Sequence, residues 1–498
     1  MSTRQIATST LWQILSQAMM AAMSAVSVKC VALGLERELA GAYNSAYGYL
    51  QLFAILADFG LYAVSVREVS IAKDKSRILG SLLILRTMAT VLSLGAAVGI
   101  VWLVPVWTNS PLRIGISIAA LVPFFTLLAG VLRSIFQVQY KMYFVFIAEI
   151  TQRVLTTGAM ILIIYTGVHL SEDPATYQAF LWIGSLGAAV LFLLSLSFAL
   201  RISTIRPCFD VQLLKQLFLK AAPYGLAYLC IALYRQFDLT MIALLRPDFA
   251  DQNALYGFAS RITEMTYIVP TFLLNSTLPI LSERHEHKQP VDSLLGKTLL
   301  AVLILGSIAA TFSFFWSRPI MLLLTTANYV TPLSSPGADT ALRLLSAPQF
   351  LNGIVLFSFY VLLTRHAWKT LVSYMGIAAA MSVSLNLWMV PHFGFVGAIS
   401  TLTIVHCFLA ITLFRSANRA LKTSFPWKTG LLWGGFFLCM ALGAAFSAPF
   451  VTTTASTLIG LMIACVMIAG LAYLFRFHRL LRWSADTAST DALQEMPA

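Results

Sequence analysis

Nine ionisable side chains fall inside long apolar stretches of this sequence: Lys29, Asp58, Arg86, Glu149, Arg153, Arg235, Asp238, Arg261 and Glu264. A charge in hydrocarbon costs on the order of 2.5–3.5 kcal/mol by insertion scales, so such groups face a bundle interior or a watery cavity. The densest set lies in residues 234–264, which read as the end of one spanning helix, a short outer turn and the start of the next. Arg235 with Asp238 and Arg261 with Glu264 are spaced i,i+3 there, so each pair shares a helix face. Among the nine, cations outnumber anions. Arginine presents a planar fork to oxyanions, and spare guanidinium groups in a cavity suit phosphate or another anion. Arg235, Arg261, Lys29 and Arg86 are therefore the candidate substrate-binding residues. Asp238, Glu264 and Asp58 are the candidates for ion coupling or charge tuning. The competing reading is a set of ion pairs stitching helices together. It suits Glu149–Arg153 best, at i,i+4, and Asp58, late in its helix. Lys29 and Arg86 are equally placed to snorkel toward an interface.

Such charges need long apolar elements to hold them, and the composition supplies these. Of 498 residues, 59% are hydrophobic and 11% charged, with a mean hydropathy of +0.81. Soluble chains carry about 25% charged residues. Apolar runs of spanning length recur along the chain. A backbone in lipid must satisfy its own hydrogen bonds, and runs this long exclude barrel strands, so the class is all-α and polytopic. Helices are expected near 10–34, 42–66, 79–104, 113–136, 144–166, 177–200, 220–245, 254–281, 295–316, 341–364, 370–390, 395–414, 428–447 and 455–475. That makes fourteen spans, with twelve as the alternative. Residues 317–347, broken by Arg318, Pro319, Pro332, Pro336 and Gly337, read as an outer loop with a short interfacial helix. Pro270 and Pro279 mark a bend in one helix, and Gly95 with Gly99 forms a GxxxG expected to pack closely on a neighbour.

The net charge of +13 follows topology rather than nucleic acid. Lys and Arg concentrate in alternate loops at 67–77, 201–220, 282–288, 365–369 and 415–422. The opposite loops hold Arg37, Arg113, Arg246, Arg318 and Arg343. By the positive-inside rule both termini are cytoplasmic, and the first apolar span is a retained helix. Six cysteines (30, 208, 230, 407, 439, 465) show no paired spacing and read as small core residues. His285 and His287 read as a solvated loop rather than a metal site, and His406 as a satisfied core residue. No catalytic motif stands in a suitable context, so the protein is expected to be a transporter and not an enzyme. No cofactor is expected beyond a coupling proton or sodium ion, and no metal.

Two stretches are cousins. GAYNSAYGYL (41–50) and ALYGFASRIT (254–263) each open a helix, with Tyr43 matching Tyr256 and Ala46 matching Ala259, 213 residues apart. Two similar halves point to a transporter with its substrate site at their interface.

The residues 33–70, LGLERELAGAYNSAYGYLQLFAILADFGLYAVSVREVS, resemble the opening of Wzx-type polysaccharide flippases of the MOP exporter superfamily. LNLWMVPHFGFVGAISTLTI (385–404) is similar to that family's late junction, carried here by Asn386, Pro391, Gly394, Gly397 and Ala398. FDLTMIAL (237–244) followed by LYGFASRITE (255–264) resembles the start of its second half. The resemblance implies two six-helix lobes, 1–210 and 211–420, around a central cavity, then two further helices (421–482) and a cytoplasmic polar tail (483–498). It implies translocation of an undecaprenyl-pyrophosphate-linked oligosaccharide, such as an O-antigen repeat unit, from the inner to the outer leaflet of a bacterial inner membrane. It also implies membrane lipids, a polysaccharide polymerase and a chain-length regulator as partners. A monomer suffices. The runner-up reading is an ion-coupled multidrug exporter of the same architecture, which would be expected to show an acidic cavity surplus. A membrane polymerase or ligase would need a larger outer loop than the chain offers.

Overall fold

The computed structural model describes residues 3–61, 64–65, 68–69, 74–103, 105–205, 208–287, 289–331, 336–365, 367–423 and 425–480. The polar tail lies outside them. The described chain is helical throughout, apart from turns and one isolated bridge between Leu35 and Ser171. In chain order the first helices are α1 (Thr3–Gly34), α2 (Arg37–Asp58), α3 (Lys75–Leu103), α4 (Leu112–Ala119), α5 (Leu121–Val138), α6 (Tyr143–Tyr165) and α7 (Pro174–Ile202). Then come α8 (Val211–Arg235), α9 (Asp238–Leu245), α10 (Phe249–Glu286), α11 (Asp292–Phe315), α12 (Ser317–Leu324), α13 (Ala338–Thr364) and α14 (Trp368–Ala420). α15 (Trp427–Ser447), α16 (Thr454–Leu474) and α17 (Phe477–Leu480) close the series. Helix covers part of every expected apolar stretch. Among the described residues, ten helices are long and apolar enough to cross a membrane, or eleven if bent α8 counts as one span. Fourteen crossings therefore stays an expectation.

Helix ends follow from local chemistry. Asp173 caps α7, its carboxylate accepting from the Ala175 N–H at 3.0 Å, with Pro174 in the first turn. Asp210 caps α8 by accepting from the N–H groups of Gln212 and Leu213. The 53-residue α14 folds back on itself at Gly394, where φ is 57° and ψ −137°, backbone that suits glycine. Its two arms lie so close that a Cβ on Gly397 would collide with the Met389 carbonyl. The tip is pinned from α10, where Gln252 Oε1 accepts from the Phe395 N–H at 3.0 Å.

Two groups of helices form. In the first, α1 packs on α6, α6 on α7, α7 on α5, α5 on α3 and α3 on α2. In the second, α8 packs on α14, α14 on α13, and α13 on α10 and α11; α15 and α16 lean on α11 and α12. The main bridge between the groups is α2 on α10. Here the repeat read from sequence becomes geometry. Asn44 and Gly257 occupy equivalent positions of the two cousins and touch, a Cβ on Gly257 falling 2.7 Å from the Asn44 side chain. Gly41 faces the Ala250 backbone in the same way. Asn44 Nδ2 donates to the Asn253 carbonyl at 3.2 Å, and Asn253 Nδ2 to Ser45 Oγ at 2.8 Å. Small residues and paired amides let the two backbones close on each other within the apolar core that surrounds them.

Several local expectations are corrected. The GxxxG is not a packing face, since a Cβ at Gly95 or Gly99 would meet nothing within 4 Å. α10 stays helical through Pro270 and position 279; the pronounced bend is in α8, 49° between Ala222 and Gly225. Cys407, Cys439 and Cys465 are exposed rather than core residues, while Cys30 and Cys230 are buried. Residues 317–347 do contain a short helix, α12.

Candidate functional site

A cavity of about 690 Å³ opens between the two helix groups, walled by α1, α2, α5, α6 and α7 on one side and by α8 to α10 on the other. Its charged wall residues are Arg133, Glu149, Arg153, Arg235, Asp238, Arg261 and Glu264. Glu149 is taken by Arg133 of α5 at 3.0 Å and also accepts from the Ser16 hydroxyl of α1. The i,i+4 pair with Arg153 expected from spacing is therefore not formed. A carboxylate with partners on two other helices ties three helices together, which a neighbour on its own helix could not do. Arg153 is left with its Nε unpartnered.

Arg235 and Arg261 rest on aromatic rings. The Arg235 guanidinium lies 4.9 Å from the Tyr267 ring centre. Arg261 lies 5.6 Å from both Tyr43 and Tyr47, which belong to the opposite helix group. Ring faces hold a cation electrostatically while leaving its N–H fork free. Among the described residues no carboxylate lies within ion-pair distance of Arg153, Arg235 or Arg261. Glu264 is exposed to the cavity and within electrostatic reach of Arg235 and Arg261, but it bonds neither. With Arg133 and Glu149 cancelling, three arginines face two carboxylates.

Asp238 does not share a helix face with Arg235. The helix breaks at Gln236 and Phe237, so Arg235 ends α8 and Asp238 begins α9. Asp238 is 1% exposed and accepts from Tyr256 Oη at 2.9 Å and from Asn386 Nδ2 at 3.1 Å. It is a buried carboxylate held by neutral donors.

The other sequence candidates lie elsewhere. Arg86, 3% exposed, pairs with the Asp58 carboxylate and also donates to the carbonyls of Asp58 and Leu127. Both are structural partners where α2 ends, and neither is in the cavity wall. Lys29 leaves the cavity as well, donating to the carbonyls of Thr325 and Leu322 at the C-terminal end of α12. There it satisfies orphan helix carbonyls and complements the dipole. His406 is 1% exposed with Nδ1 on the Leu402 carbonyl and Nε2 unpartnered. His285 lies outside the described side chains, and no metal-ligand cluster occurs among the described residues.

The sequence matches the family described as polysaccharide biosynthesis protein over residues 6–285. The chain belongs to that family. Solved structures agree on the fold. The lipid II flippase MurJ in an inward closed conformation aligns with a TM-score of 0.67 at 15% identity, over 95% of this chain and 99% of that one. An inward-facing multidrug resistance MATE family transporter of the MOP superfamily aligns at 0.61 and 13% identity, over 82% and 97%. A MOP superfamily transporter from Pyrococcus furiosus Vc1 aligns at 0.53 and 15% identity, over 82% and 95%. No curated protein matches the sequence. The matched family is the polysaccharide family expected from the DFG stretch and the late glycine junction. The ten or more long apolar helices make it a multi-pass membrane protein.

In this polysaccharide biosynthesis protein, sequence reasoning overlooked one cavity arginine, Arg133, and read another, Arg153, as paired with Glu149. Arg133, in LAGVLRSIFQV near a helix end, gave no signal that separates a wall residue from an interfacial one. Arg153 was masked by Glu149 four residues earlier. Its placement depends on where Arg133 points, which only the packing of α5 on α6 decides.

Proposed function

We propose that the protein moves an undecaprenyl-pyrophosphate-linked oligosaccharide from the cytoplasmic to the periplasmic leaflet of a bacterial inner membrane. The observation that carries this is the set of cavity arginines held by rings and free of carboxylates. Arg235 and Arg261 attract the pyrophosphate or acidic sugars. The two helix groups rock about the cavity, with the α2–α10 seal as the closed outer end and both termini cytoplasmic. Asp238 carries the coupling proton or sodium ion, since a buried carboxylate without a cation changes its local free energy most on neutralisation. Binding there biases the equilibrium between the two states only by its differential affinity for them. A polymerase and a chain-length regulator act downstream, and a monomer suffices.

The basic surplus disfavours export of cationic drugs, for which an acidic wall would be the better electrostatic match. The test is surface glycan in a strain deleted for this gene. It is complemented with wild type, Arg235→Ala or Arg261→Ala, with membrane abundance measured alongside. The reading requires that deletion abolish the polymer and that the variants insert normally without restoring it. An unchanged glycan together with altered drug efflux would overturn the cargo.

A further inference from the structure

The two C-terminal helices α15 and α16 take no part in the cavity wall, yet one short arm ties them to the end closed by α2 on α10. That arm is α12 with the turn that follows it, residues 317–330. At its root, where α11 ends and α12 begins, stands Trp316, 2% exposed. Its indole N–H donates to the Ala444 carbonyl at 3.1 Å and to Ser447 Oγ at 3.2 Å, both on α15. α16 closes on the same ring, since a Cβ on Gly460 would fall 2.9 Å from it. At its tip the arm grips the first helix group. Lys29 of α1 donates to the Leu322 carbonyl at 3.3 Å and to that of Thr325, where α12 ends. Tyr329, wholly buried, donates from Oη to the Leu35 carbonyl at 3.4 Å, between α1 and α2. Its ring stands edge-on to Phe258 of α10. The arm therefore roots in the second group and fastens the first, beside the α2–α10 contact. Parting the groups here breaks charge-assisted bonds from a half-buried ammonium, among the stronger hydrogen bonds a protein makes.

We infer that the C-terminal helix pair braces a second closure at this end: α15 and α16 fix the root of α12 through Trp316, and Lys29 with Tyr329 fastens its tip to the first group. The inference rests on the rocking of two helix groups proposed above, but on no cargo and no ion. Opening this end then requires the arm to release α1 as well as α2 to leave α10. A loosened root weakens the grip of the tip, although the Trp316 N–H bonds lie on α15 and not on the first group.

The test is the distance between the first group and the tip of the arm. Spin labels go on cysteines placed at exposed His169, between α6 and α7, and at exposed Asn328 on the arm, in a chain otherwise free of cysteine and held in lipid nanodiscs. Pulsed electron–electron resonance is recorded for this parent and with Lys29→Met, Lys29→Arg, Trp316→Phe or Gly41→Ala added. Trp433→Phe, which loses the bond from α15 to Ser307 Oγ on α11, is the control. Losing a charged donor should raise the ratio of long to short distances about 10- to 150-fold in Lys29→Met. Lys29→Arg, which keeps a charged donor, should stay near the parent. Trp316→Phe loses neutral bonds and should raise the ratio about 2- to 12-fold, whereas Trp433→Phe should leave it unchanged. If Lys29→Met keeps the parent's distance while Gly41→Ala lengthens it, the arm is no closure and the inference falls while the rocking stands. If Lys29→Met opens this end but Trp316→Phe does no more than Trp433→Phe, the brace by α15 and α16 is overturned. A single distance in every variant, Gly41→Ala included, overturns the rocking and the inference with it.

Discussion

The seal between α2 and α10 makes a prediction whose size comes from the geometry. A Cβ on Gly41 would lie 2.5 Å from the carbonyl carbon of Ala250 and nearer still to its oxygen. Ordinary contact for a Cβ begins at 3.4 Å, so Gly41→Ala must part the two backbones by about 0.9 Å or more, and no flexible side chain can yield instead. Overpacking of this kind costs about 1–3 kcal/mol. The strain exists only while the seal is closed, so the closed state should lose about 5- to 150-fold in population relative to the state open at this end. The readout is the labelling rate of Ser45→Cys by an aqueous thiol reagent in a chain otherwise free of cysteine. Ser45 is wholly buried in the seal, and labelling should speed up by that factor. Gly99→Ala, which meets nothing within 4 Å, should leave the rate unchanged. A Gly41→Ala protein that inserts normally and keeps the thiol introduced at position 45 as protected as before would refute the claim that backbone contact makes the seal.

Other tests follow from single contacts. Lys29→Met removes the donor that joins α1 to the Thr325 and Leu322 carbonyls, and should raise labelling near α12 while leaving pyrophosphate binding in nanodiscs intact. Asp238→Asn keeps the shape but removes the negative charge held by Tyr256 and Asn386; it should insert normally and abolish the dependence of transport on an ion gradient, measured in proteoliposomes. Asp210 sits below the usual carboxylate range, chiefly because the Leu213 N–H bonds its charged form and secondly through Arg77. Its cap on α8 is therefore present at neutral pH and lost as pH falls through that lowered value. Hydrogen exchange at residues 212–214 should rise only in that acidic window, and Asp210→Asn should flatten the response.

The architecture was legible because the bilayer imposes it: apolar length, alternate basic loops and the Tyr43/Tyr256 repeat all survive in one dimension. Of the candidate site, Arg235, Asp238, Arg261 and Glu264 do meet in one cavity wall. What the sequence could not give was the pairing. Spacing put Glu149 with Arg153 and Arg235 with Asp238, but Arg133 from another helix took the first, and a helix break at Gln236 separated the second. Arg86 and Lys29 look like wall residues by the same logic of buried charge. Whether a buried cation meets Asp58, a row of helix carbonyls or open cavity is a property of its neighbours.

The separation of charge within the wall has a common cause. An arginine bonded to a carboxylate would be stable but neutral toward cargo, because an incoming anion would have to displace a fixed one and leave it buried and unpaired. Tyr43, Tyr47 and Tyr267 avoid this by stabilising Arg261 and Arg235 weakly and without using their N–H groups. Asp238 shows the complementary arrangement, a carboxylate bonded by a phenol and an amide with no cation beside it. On the proposed function, each charge is thus kept clear of a fixed counter-ion, so that an oxyanion can reach the arginines and a small cation the aspartate. Cross-pairing Arg235 with Asp238 would silence both. The break at Gln236 and Phe237, which ends one helix at the arginine and starts the next at the aspartate, keeps them apart.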